Sequence, residues 1–196
     1  MKTPLLLAAS SVAFLAGLTG CASTPNPEQQ AAMVDNARKA SAALVQTLGG
    51  ELRTALSQQG PDGAISVCKE RAPKIAADVS KQFGVTVNRV SPKNRNPAGA
   101  PDAWEAEAQK KLEARLAAGE KPETLDTWQV VGRGSEQRFR YARALATQPL
   151  CLTCHGDATT IPDSVKARLA TEYPLDKAVG YAPGSIRGIV SISRPL

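Results

Sequence analysis

Hydrophobic residues first recur at helical spacing, in Met33, Ala37, Leu44, Leu48, Leu52 and Leu56, which predicts one long amphipathic helix. Asn26 stands at its N-cap position, Pro27 at the first helical position, and Gln29 completes a capping-box pattern. Gly49-Gly50 predicts a weakened or kinked middle, and Gly60-Pro61-Asp62-Gly63 predicts the helix end. A second stripe, Ile65, Cys68, Ala72, Ile75 and Val79, puts Cys68 on an inward face, and Pro73 divides this segment into two short helices.

Beyond Gly84 the period changes to two. Val85 to Val90 alternate as a strand does, and Ser91 to Pro101 form a long proline-containing loop. Asp102 opens a charged helix through Trp104, Leu112 and Leu116 that ends near Gly119. Leu125–Val131 and Gln137–Leu145 read as strands of a hairpin turning at Gly132-Arg133-Gly134-Ser135. A short helix from Pro162 to Tyr173 and a last strand from Ile186 to Ile192 complete the chain. Helices first, then strands whose connections permit antiparallel pairing, predict an α+β domain.

The N-terminus changes the domain count. Lys2 precedes an apolar run from Leu5 to Leu18, which has the form of an export leader. It is shorter than the roughly 20 apolar residues a permanent bilayer span takes. The run ends in Leu18-Thr19-Gly20-Cys21, which resembles the lipobox at which bacterial lipoproteins are cut and acylated. The expected organisation is therefore a signal peptide at 1–20, a linker at 21–26 carrying the acylated Cys21, and one domain at 27–196. Acyl chains contribute about 0.8 kcal/mol per buried CH₂, enough to hold the protein on the periplasmic side of a membrane.

Losing Lys2 takes the formal charge from +6 to +5. Lys110, Lys111 and Arg115 alternate with Glu105, Glu107 and Glu113, which is the pattern of a solvated helix face rather than a nucleic-acid stripe. No nucleic-acid partner is expected.

Cys151-Leu152-Thr153-Cys154-His155 matches C-x-x-C-H, the attachment pattern of c-type haem. Two thiols three positions apart reach the two vinyl groups of one porphyrin, while the adjacent imidazole ligates the iron. His155 is the single histidine of the chain and falls at the one position the motif requires. Export would take the motif to the compartment where such haem is attached. A redox pair or disulfide between Cys151 and Cys154 is the first alternative, but it lacks the βαβ frame of thioredoxin-like domains. A zinc site made of Cys68, Cys151, Cys154 and His155 is the second, and it lacks a second close-spaced ligand pair.

One histidine rules out bis-histidine ligation within the chain. The other axial position is left to Cys68, Met33, a lysine, water or nothing. Met33 belongs to the leucine stripe and reads first as core. Cys68 reads either as a small buried hydrophobe or as a thiol in use, since an idle cysteine is a liability in an oxidising compartment.

Several segments together are similar to the monohaem c-type domain family with a PAS-like fold, found as stand-alone exported proteins and as extracellular sensor modules. They are Ala64-Ile65-Ser66-Val67-Cys68-Lys69, Arg89-Val90-Ser91, Asn94-Arg95-Asn96-Pro97, Trp104-Glu105, Pro149 to Gly156, Tyr173-Pro174-Leu175-Asp176 and Gly180-Tyr181 to Gly188. Ser185 stands where that family usually has an acid. The resemblance implies a PAS-like antiparallel sheet with N-terminal helices, one covalent haem c, and Cys68 as the second axial ligand opposite His155. A thiolate there stabilises ferric iron and weakens as a ligand on reduction, which suits a redox or small-ligand sensor or accessory domain. The alternative is a periplasmic electron-transfer cytochrome c. A redox partner or a signalling protein would then be the protein partner. Arg89 and Arg95 are candidates to clamp haem propionates or are ordinary solvated arginines; Tyr181 bonds a propionate or packs. A haem enzyme is not expected, because no histidine remains for acid-base work.

Overall fold

The computed structural model describes residues 24–196. The leader, Cys21 and the start of the linker lie outside the described residues.

Helix α1 runs over Pro27–Ser66. Its start is fixed as the sequence predicts: the Gln29 N–H donates to Asn26 Oδ1 at 2.9 Å, and the Asn26 N–H donates to Gln29 Oε1 at 2.9 Å. Two expectations for this helix are corrected. Gly49-Gly50 does not interrupt it, because the penalty of about 1 kcal/mol for a helical glycine is outweighed by the packing of Leu44, Leu48, Leu52 and Ala55 on either side. Gly60-Pro61 does not end it but kinks it. Gly60 takes φ 70°, open to glycine, and Pro61 then restarts the helix, where a missing N–H costs little.

Val67–Arg71 forms a single π-helical turn before helix α2, Ala72–Phe83. Pro73 is the cause: having no N–H, it cannot donate to the carbonyl of Lys69, and the Ala72 N–H bonds back to Val67 instead. Such turns cluster at functional positions, and this one carries Cys68.

Strand β1, Thr86–Val90, is followed by the expected loop, helix α3 (Ala103–Ala117) and the hairpin of β2 (Asp126–Val131) and β3 (Arg138–Ala146). Helices α4, Leu152–His155, and α5, Asp163–Glu172, precede β4, Ile186–Pro195. The four strands form one antiparallel sheet in the order β1-β4-β3-β2, so the α+β class stands. One face of the sheet packs Val87, Phe139, Tyr141, Val190 and Ile192 against Val34, Leu44, Ile75 and Val79 of α1 and α2. The other packs Val90, Ala142, Ala144 and Ile189 against Ala108 and Leu112 of α3. Glu105 is not part of a solvated face: it is buried, caps α3 with Asp102, and pairs with Arg140.

The connection from β3 to β4 carries most of the chemistry. It packs Ile161, Val165, Leu169 and Tyr173 against Ile65 beyond the Gly60 kink. Where it re-enters the sheet, Gly188 lies so close to β1 that a Cβ would sit 2.5 Å from the Val90 carbonyl oxygen. Gly188→Ala is expected to cost about 2–3 kcal/mol through this overpacking, measured as a lower denaturant midpoint. An unchanged midpoint would show that β1 yields there without strain.

Candidate haem site

Pro149, Cys151, Cys154 and His155 sit on a tight helical turn closed by backbone bonds from the Cys151 N–H to Gln148 and from the Gly156 N–H to Leu152, both 2.9 Å. The imidazole of His155 is buried, and its Nδ1 lies 2.7 Å from the carbonyl oxygen of Ala178. A carbonyl only accepts, so Nδ1 is the donor and Nε2 keeps its lone pair. Burial, aided by the charges of Arg187 and Arg95, holds the imidazole pKa well below its usual value. His155 is thus held neutral and oriented, by the kind of hydrogen bond that supports metal-binding histidines.

His155, Cys151, Cys154 and Cys68 all line one cavity of about 310 Å³. Leu44, Leu48, Leu52 and Leu56 of α1 supply an apolar wall; Cys68 comes from the π turn, and β1 and β4 contribute Arg89, Arg187 and Gly188. All three cysteines are free thiols. Burial pushes the Cys154 thiol up, against the pull of Arg95. Among the described residues, no three His, Cys, Asp or Glu side chains converge as a metal site, so the donors do not gather as tetrahedral zinc requires.

Of the other predicted site residues, Arg89 and Arg95 line the cavity, and Tyr181 does not. Arg95 is no solvated arginine: its Nε donates to Asp176 Oδ2 at 2.9 Å, and its Nη2 donates to the carbonyl of Cys154 at 2.5 Å. It ties the C-x-x-C-H turn to the segment that carries Ala178 through Nε and Nη2. Tyr181 stands behind the site, edge-on to His155 at 6.3 Å between ring centroids, with its N–H donating to the His155 carbonyl and its hydroxyl to that of Arg187. Lys93 covers its ring at 4.6 Å. Met33 packs against the helix–sheet core and is not on the cavity wall. Ser185, in place of the usual acid, still closes its turn by donating to the Ala182 carbonyl at 2.7 Å.

Sequence reasoning missed Arg187 as a site residue. The available signal was a charge next to a glycine at the start of the closing strand, just before the apolar pair Ile189-Val190.

These features define an α+β domain in which the β3–β4 excursion presents a C-x-x-C-H turn, and the π turn before α2 presents a remote cysteine, to one basic, partly apolar cavity. The chain belongs to the Tll0287-like family, whose model matches residues 28–195. Its fold is similar to that of the cyanobacterial heme-protein Tll0287, at 22% identity and a TM-score of 0.61, over 87% of this chain and 97% of that one. No curated protein sequence matches it.

Proposed function

We propose that this protein is an exported, lipid-anchored carrier of one covalent haem c that acts as a redox or small-ligand sensor or accessory domain. The observation that carries the reading is His155: the single histidine follows two thiols at the attachment spacing, and its Nδ1 is tied to Ala178 beside a cavity that Cys68 also lines. Family membership and the likeness to a haem protein support it. The donor set fits the group: two thiols for thioethers, one neutral imidazole, one further thiol, and a leucine wall for the porphyrin face.

When bound, the haem supplies a one-electron couple and a metal able to exchange a ligand. Cys151 and Cys154 hold it, and Ala178 and Arg95 keep the imidazole and its turn in place. The leucines of α1 exclude water. An electron-transfer role is the second reading, favoured by the exposed Val45 and Leu150 at the cavity, which offer an apolar rim to a redox partner.

Protein purified from a host able to attach haem c should carry one haem that survives denaturation, seen by mass and by visible spectrum. Its absence would end the proposal. Loss of a ligand and binding of CO or NO on reduction support sensing; unchanged ligation with fast electron exchange supports the cytochrome. Cys68→Ala is expected to remove the thiolate signature from the ferric visible and EPR spectra. An unchanged spectrum would reject Cys68 as the second ligand and leave Lys93, which lines the cavity, water or nothing.

A further inference from the structure

Five cations line the cavity, Arg53, Arg89, Lys93, Arg95 and Arg187, and no aspartate or glutamate does. Arg53 and Lys93 reach solvent, and Arg95 is paired with Asp176. Arg89 and Arg187 are different. Neither side chain has a salt bridge or hydrogen bond among the described residues, and burial followed by repulsion from Arg187 disfavours the charge on Arg89. Both are half-buried, and two like charges held near each other in a partly buried, largely apolar cavity are costly unless an anion joins them.

The backbone is built to create this arrangement. Leu145 pairs with Gly188 and Ala146 with Ile186, so Arg187 is an extra residue with no partner across the sheet. Such a bulge restarts the alternation of side chains and re-aims one of them. Ile186 keeps its place in the core under α3, while Arg187 turns into the cavity beside Arg89. Gly188 lets β1 and β4 close up at that point.

We propose that Arg89 and Arg187 together seat a pair of carboxylates, those being the two propionates of the haem; this rests on the haem reading above. Guanidinium groups match carboxylates bidentately, and two of them on neighbouring strands suit a ligand edge bearing two acids. The same chemistry is offered by a free dicarboxylate from solution.

The test uses holoprotein of the full chain. Arg89→Gln and Arg187→Gln should each keep the covalent haem, shift the propionate bending band in resonance Raman spectra, and lower the midpoint potential, with a larger effect in the double variant. Arg89→Lys and Arg187→Lys keep the charge, so they should hold the potential near wild type while still altering the band; they serve where a glutamine variant does not fold. A double variant with wild-type band and potential overturns the seat while leaving the haem reading intact. Added malonate that raises the melting temperature of wild-type holoprotein saturably, but not of the variants, overturns the propionate assignment in favour of a free dicarboxylate. Wild-type chain that carries no haem overturns the haem reading and the seat with it.

Discussion

Replacing both Cys151 and Cys154 by alanine is expected to abolish haem that survives denaturation, while the protein still folds. The two parts of this result have separate causes. Attachment needs both sulfurs at the cavity, where they are, and nothing else in the chain offers a substitute pair at that spacing. Folding depends on other contacts: the turn is held by the backbone bonds from the N–H groups of Cys151 and Gly156, and only Cys154 packs against the neighbouring core of Ile65, Ile161 and Val165. Trimming it to alanine costs about 1 kcal/mol. Each single variant should keep one thioether, giving a red-shifted spectrum from the remaining vinyl group. Haem that stays with the denatured double variant would show that attachment lies elsewhere.

The second large effect is on stability. Arg95→Ala is expected to destabilise the fold by about 3 kcal/mol, because it leaves the Asp176 carboxylate and the carbonyl of Cys154 short of a buried partner. For a chain of this size that lowers the melting temperature by about 6–12 °C. Arg95→Lys should recover little, since one ammonium cannot span Asp176, Cys154 and Ala178 as the planar fork does. Asp176→Asn in the Arg95→Ala background should restore part of the loss by removing the unpaired charge. A double-mutant cycle in urea measures this coupling; purely additive effects would show that the pair is not a unit. The imidazole should respond too, because the same segment presents the Ala178 carbonyl to His155.

The contrast between Arg95 and Arg187 shows how far the sequence reaches. Arg95 stood in a conspicuous loop, and its neighbourhood to the site was legible there. Its task was not, because Asp176 lies far along the chain and meets it only after α5 has packed on α1. Arg187 sat in a segment that reads as an ordinary strand. Its direction depends on a one-residue slip against β3, and period-two alternation cannot show a slip made with a distant strand. Gly60 and Gly49-Gly50 teach the same lesson within one helix. Local propensity made both candidates for a break, and packing on either side decided which one kinked.

By itself the sequence determined the strands, most of the helices, the capping box of α1, the hairpin and the C-x-x-C-H turn with its single histidine. All of these are set by neighbours a few residues apart, whose geometry is fixed by the chain's own covalent spacing. Only the tertiary structure decided that Cys68 shares a cavity with His155, that Met33 and Tyr181 stay off its wall, that Arg95 is a clamp, and that Arg187 joins Arg89. Those outcomes depend on strand register, a bulge and long-range packing, where burial and unpaired charge weigh more than local preference.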